Sequence, residues 1–369
     1  MMRKDYACVD VPRSMDDQIP QIIEEARILR EGPDADPVKA ASLLKKAADM
    51  GDPGAASSLG YMYTVGEGVD KDAAKAEKYL RMAADAGDAT AMCNLGVLLS
   101  DPEWFDKAAD LGSMRGMKNL ASAYATGMGV PMDKRAAADL YERAASLGDV
   151  DSMVVLATMK RNGDGIPMDI GGAVELYRRA ADAGDPDAQY DLAIILDSGD
   201  GVPQDRDEAE RLFRCSAEQG DVDACLCYGG ICYEKGDFAE AEKWFMDAAL
   251  KGDVKASYNL GLLYMDGNLG ESDSDKAEEW FESAASEGFA FAQTMMGTIC
   301  MGRNEHAAAG DWFRRSAEQG EPSAMYNLAA LGLSGNIEMT DEEAMGLLTR
   351  SASAGVQEAI QLISMITKQ

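Results

Sequence analysis

Apolar and small residues recur along this chain in blocks that share one layout. Each block starts after a glycine, and these glycines stand at Gly51, Gly87, Gly112, Gly148, Gly184, Gly220, Gly252, Gly288, Gly320 and Gly355. Five of the steps between them are 36 residues, and the others are 25, 32, 32 and 35. A near-fixed period in this range marks a repeat array, in which neighbouring units stack to bury a continuous core.

Counted from each glycine, a small residue falls at the fourth position, a bulky apolar one at the eighth, and Gly or Ala at the ninth in most copies. After Gly51 these are Ala55, Leu59 and Gly60, with Tyr63 at the twelfth; after Gly252 they are Ala256, Leu260, Gly261 and Tyr264. Offsets of four, eight and twelve lie on one helical face, so each block opens with an amphipathic helix, here named A. Asp52, Asp88, Asp149, Asp185, Asp221 and Asp253 stand where they cap helix A. A second helix, B, is predicted after Asp36, Asp72, Asp133, Asp169, Asp205, Asp237, Asp273 and Thr340, with Glu305 a weaker cap. It carries a bulky pair such as Leu176-Tyr177 or Trp280-Phe281, and a small pair such as Ala144-Ala145. Large residues opposite small ones let two helices approach without voids.

Between A and B lie glycine strings: VGEGV at 65–69, TGMGV at 126–130, NGDGI at 162–166 and SGDGV at 198–202. Glycine ends a helix in the left-handed conformation at little cost. A dinucleotide-binding loop would need a preceding strand and a third glycine, and neither is present. The 25-residue block lacks the connector and the first turn of B, since Ser100-Asp101-Pro102 leads almost at once to Trp104-Phe105. It is expected to distort the stack locally.

The unit small-xxx-L-G-xx-Y-xx-G-x-G-V-xx-D, continued by Ala, a bulky pair, A-A and the next glycine, resembles the Sel-1-like repeat family, relatives of the tetratricopeptide repeats. The copies after Gly51, Gly112, Gly148 and Gly252 carry most of it, and the resemblance covers about residues 34 to 368. It implies an all-α, right-handed α/α superhelix of about twenty helices. The expected layout is a tail at 1–15, a capping repeat at 16–51, and a terminal helix at 356–369. Nine repeats lie between, at 52–87, 88–112, 113–148, 149–184, 185–220, 221–252, 253–288, 289–320 and 321–355. The family implies an adaptor or scaffold role, with the partner on the concave A-helix face. A regulatory subunit of a multi-chain enzyme and a host-directed effector are the alternatives.

Composition narrows the partner. A formal charge of −30, from 65 acidic and 35 basic residues, repels phosphate backbones and argues against nucleic acid. The acids are spread over all repeats, which also suits a soluble surface rich in caps. No run approaches the ~20 apolar residues of a membrane helix, and charges interrupt the opening MMRKDYACVDVPRSMDDQ. A cytoplasmic monomer is expected. The seven cysteines (Cys8, Cys93, Cys215, Cys225, Cys227, Cys232 and Cys300) are odd in number and lack zinc-site spacing, so they read as thiols at small buried helix positions. Cysteine-rich secreted members of the family bridge cysteines eight residues apart; here Cys225 faces Ala217 at that spacing, so that bridge is absent.

No catalytic, metal or cofactor site is expected. His306 is the one histidine and reads as an exposed connector residue, which leaves Ser-His-Asp and Cys-His chemistry without a base. The acidic connectors do not match calcium-loop spacing. Candidate partner contacts lie on a second stripe of helix A, at offsets three, seven, ten and fourteen. They are Asn94, Asn119, Asp151, Asp187, Asp191, Asp223, Lys255, Asn259 and Asn327. An asparagine amide can both donate to and accept from an extended peptide backbone, or it can bond the backbone of the next repeat. The acids point to a basic protein or peptide.

Overall fold

The computed structural model describes residues 15–33, 35–270 and 272–367, so the N-terminal tail and Cys8 fall outside the described residues. Those residues hold 21 α-helices and no strand, in two compact units, Met1–Ala183 and Gly184–Gln369. In the first unit the helices are α1 (Met15–Glu31), α2 (Pro37–Asp49), α3 (Pro53–Val65), α4 (Ala73–Asp85) and α5 (Ala89–Leu99). They continue with α6 (Pro102–Asp110), α7 (Met114–Thr126), α8 (Lys134–Ser146), α9 (Val150–Asn162) and α10 (Ile170–Asp182). The second unit opens with α11 (Pro186–Ser198), α12 (Arg206–Glu218), α13 (Val222–Glu234), α14 (Phe238–Leu250) and α15 (Val254–Met265). It ends with α16 (Ser274–Ser286), α17 (Ala290–Gly302), α18 (His306–Glu318), α19 (Pro322–Leu333), α20 (Asp341–Ser353) and α21 (Gln357–Ile366). Odd-numbered helices are A and even-numbered ones B. Within each unit every helix packs on its chain neighbours, an all-α solenoid of antiparallel pairs.

The caps form as the aspartates predict. Asp52, Asp88, Asp149, Asp185, Asp221 and Asp253 each accept a backbone N–H of the first turn of helix A. Asp36, Asp72, Asp133, Asp169, Asp205, Asp237 and Asp273 do the same for B, and Thr340 forms a reciprocal capping box with Glu343. Glu305 makes no side-chain cap bond. The ten repeat-marking glycines all have φ between 80° and 100°, which is why the position is glycine: it reverses the chain after B in a conformation that L side chains resist.

The core is a row of tight small-to-large contacts inside each repeat. A Cβ added at Gly96, Gly229, Gly261 or Gly297 would stand 2.3, 2.8, 2.5 or 2.5 Å from the ring of Phe105, Phe245, Phe281 or Phe313. In these four repeats helices A and B therefore touch closely only because the ninth position has no side chain. In the second unit a serine replaces one alanine of the small pair and bonds back across the helix pair. The Ser216, Ser316 and Ser351 hydroxyls donate to the Pro186, Ala290 and Pro322 carbonyls.

The connector glycines divide the labour. The first, as at Gly127 and Gly163, ends helix A in the left-handed conformation. The second lies against the previous helix B: a Cβ on Gly68 would stand 2.2 Å from the Pro37 carbonyl oxygen, and on Gly165 2.3 Å from Lys134. Where the connector is missing, other residues take the turn. Ser100 has φ 52° before the nine-residue α6, and Asn304 has φ 62° before α18. The short repeat draws A helices together, so that α5 packs directly on both α3 and α7. That is the distortion the 25-residue spacing predicts.

Two expectations about single residues need correction. His306 is the first residue of α18 and is half-buried, with Nδ1 out of solvent and without a partner among the described residues. The helix starts after Glu305, the expected cap position, so His306 belongs to its first turn and not to the connector. Cys215 is exposed, because it falls on the outer face of α12; Cys93, Cys225, Cys232 and Cys300 are buried and Cys227 is half-buried. All six are free thiols. Burial pushes every one of the five enclosed thiols up, which keeps them protonated and unreactive.

Candidate partner-binding surface

The outward stripe of the A helices differs between the units. In the first, Asn94 on α5 is 9 % exposed and Asn119 on α7 is half-buried. Asp151 on α9 is exposed but paired: Lys118 Nζ on α7 lies 2.6 Å from its Oδ2 and 3.6 Å from Asp149. The reading of Asp151 as a contact for a partner alone therefore has to share it with a bridge between neighbouring repeats. The same stripe carries exposed apolar residues, Tyr61, Val97 and Val155. Between α7 and α9 it opens into a cleft of about 320 Å³ lined by Ala125, Lys134, Tyr141, Val155, Thr158 and Asp164.

In the second unit Asp187 and Asp223 are exposed and Asp191 is half-buried, on α11 and α13. The Asp187 carboxyl is pushed above its ordinary range, first by burial and then by the charges of Asp185, Asp221 and Asp191. The charges that act on Asp187 are all those of acids, so its carboxylate sits in a locally negative field. Lys255 is exposed on α15, and Asn259 and Asn327 are half-buried on α15 and α19. No side-chain hydrogen bond joins Asn94, Asn119, Asn259 or Asn327 to another described residue. Of the two roles open to these amides, bonding the next repeat's backbone is thus not the one seen.

One group on this stripe escaped the sequence reading. Phe289 and Phe291 at the start of α17 pack on each other and on Tyr258 of α15, with ring centroids 5.5, 5.4 and 6.3 Å apart. Its signal was available: Phe289 occupies the place that six other A helices give to a capping aspartate. Elsewhere, the described residues hold no group of three or more His, Cys, Asp or Glu side chains placed to bind a metal ion. None of their helices is long and apolar enough to cross a membrane.

A family model, the Sel1 repeat, matches ten segments: 27–52, 53–88, 103–113, 115–149, 150–185, 186–221, 224–253, 254–289, 290–321 and 322–356. The chain belongs to the Sel1 repeat family. Among solved structures, this Sel1 repeat protein is similar to a protective antigen of uropathogenic Escherichia coli strains that displays an SLR fold. The two share 30 % identity at a TM-score of 0.81, over 92 % of this chain and 78 % of that one. It is also similar to a Sel1 repeat protein from Oxalobacter formigenes, with 27 % identity and a TM-score of 0.49, over 72 % of this chain and 99 % of that one. The sequence matches no curated protein. Sel1 repeat proteins generally act as protein-interaction scaffolds, and the fold is typically non-catalytic.

Proposed function

We propose that this Sel1 repeat protein is a non-catalytic, monomeric scaffold that holds a basic protein or extended peptide along the concave, outward stripe of its A helices. The observation that carries the reading is the combination found there. The half-buried side-chain amides of Asn119, Asn259 and Asn327, which make no hydrogen bond to another described residue, lie on the same stripe as Asp187, whose carboxylate has acids as its electrostatic neighbours. An amide can clamp a peptide backbone from both sides, and the acids select lysine and arginine while steering encounter. The free thiols support a reducing, cytoplasmic setting. Similarity to a protective antigen of a pathogenic bacterium supports a second reading, a partner on the host side.

The test is binding of arginine-rich and glutamate-rich synthetic peptides to the full chain. Arginine-rich peptides should bind at low salt and weaken as salt rises, and a combined Asp187→Asn, Asp191→Asn and Asp223→Asn variant should lose that preference. Equal binding of both peptide classes would remove the acidic stripe from the function.

A further inference from the structure

Helix α17 breaks the pattern of its repeat twice within three residues. Phe289 stands at its N-cap and makes no side-chain cap bond, whereas Ser113, Glu321 and the six aspartates cap the equivalent helices. Losing such a cap costs about 1 kcal/mol. Two residues on, Phe291 occupies the third position after the repeat glycine. Every other copy has glycine or a polar residue there, among them Asp187, Asp223, Lys255 and Ser323. Phe291 is 53 % exposed, so its ring returns little to the core. Departures from local rules that bring no local gain concentrate at functional sites.

The rings are well backed. Tyr258 carries Phe289 and Phe291 on one side and rests on buried Phe281 on the other, 5.7 Å between centroids. An exposed aromatic held rigid by others is the usual form of an interface anchor. Charge surrounds it. The Tyr258 hydroxyl is pushed up by burial and by the carboxylate of Glu321, which is buried and accepts the Ala324 N–H. On the opposite side stand Asp223, Asp187 and Asp191, with Lys255 and the unpaired amide of Asn259 between.

We infer that Phe289, Phe291 and Tyr258 form an anchor pad for one large apolar side chain of an extended basic peptide, whose lysine or arginine residues reach the acids of α11 and α13. This rests on the scaffold reading above and adds the apolar anchor to it. Packed helices lie ~8–10 Å apart, which places α13 and α17, two A helices apart, on the order of 20 Å from each other. That distance is spanned by about six residues of extended chain. Lys255 and Asn259, on the intervening α15, meet the peptide backbone through its carbonyls.

The experiment uses the full chain and synthetic glycine-serine peptides of about twelve residues, made in both chain directions. One carries two arginines and a phenylalanine about six positions apart; a second replaces the phenylalanine by serine, and a third replaces the arginines. Fluorescence anisotropy should show the first binding about tenfold tighter than either of the others. Phe291→Ser should erase the advantage of the first peptide over the second, with thermal unfolding unchanged because the ring is exposed. The combined Asp187→Asn, Asp191→Asn and Asp223→Asn variant should weaken both arginine peptides and leave the phenylalanine advantage in place. If the wild-type protein does not distinguish the first two peptides, or keeps the distinction in Phe291→Ser, the pad is not the anchor while the acidic stripe stands. If the arginine-free peptide binds as well as the first, the occupant is not basic. If no peptide binds at low salt, the stripe and the pad both fall.

Discussion

Helices α13 and α17 open the two 32-residue repeats of the chain and are built alike on the inside. Gly229 meets the ring of Phe245 and Gly297 that of Phe313, and Cys232 and Cys300 are buried at the same position near the helix ends. Their outer N-termini differ throughout. Helix α13 begins with capping Asp221 and exposed Asp223; α17 begins with uncapped Phe289 and exposed Phe291. The inner positions are dictated by how closely two helices must approach. The outer ones answer to no such demand, and the two repeats spend that freedom in opposite directions, one on charge and one on aromatic surface.

The sameness of the two interiors can be broken most severely at the glycines. Gly229→Leu and Gly297→Leu should each overpack the A/B contact, at a cost of about 2–3 kcal/mol in urea unfolding. A large loss at one site and none at the other would show that the two cores are not equivalent. Next comes charge: the triple Asp187, Asp191 and Asp223 neutralisation should weaken an arginine-rich peptide about tenfold at low salt. Capping gives a smaller and opposite pair. Asp221→Ala should destabilise by about 1 kcal/mol, and Phe289→Asp should stabilise by a similar amount while impairing the aromatic pad. If Phe289→Asp also destabilises, the ring contributes more to packing than its half-buried position indicates.

The smallest effect is a pH dependence. The fold raises the pKa of Asp187, so ionised Asp187 is disfavoured in the native state. Its contribution is fully present below the unfolded value and is lost as pH rises through the folded one. Asp187→Asn should therefore raise the melting temperature slightly at neutral pH and leave it unchanged in acid. Asp72 runs the other way. Its pKa is lowered by the Lys75 backbone N–H and then by the Lys75 side chain, so its help is present at neutral pH and disappears as pH falls through the folded value. Melting curves for Asp187→Asn and Asp72→Asn across the acid range separate the two signs.

Caps, connectors and the small and bulky positions were legible in the sequence because each is enforced within one helix or one turn. Asp52 needs only the first turn of α3 to find its N–H. Contacts between repeats were not legible, because they depend on how one pair sits on the next. The Lys118–Asp151 bridge joins residues 33 positions apart. Tyr258 and Phe289 meet across a similar gap; Tyr190 and Tyr326 hold the place of Tyr258 in other repeats, but a phenylalanine at the capping position occurs once, so no periodic pattern marks the pair. The half-burial of His306 was not legible, because it depends on what packs around the first turn of α18 and not on the helix boundary that Glu305 marks. The asparagines were visible as a column, but their lack of partners could be seen only with the neighbouring helices in place.

The second connector glycine has a consequence for how such a chain lengthens. Gly68 abuts the backbone of Pro37, Gly129 the ring of Pro102, and Gly165 the stem of Lys134. A proline serves as the seat twice and a lysine once, always at the first helical position of the preceding B helix. The joint asks for the absence of a side chain on one part and only a helix start on the other. A tandem duplication of one such repeat would recreate both parts at the new junction without any side chains having to co-adapt. Gene segments of this length can thus be added or lost with the seam already fitting, and the outward residues of the extra copy are left free to diverge.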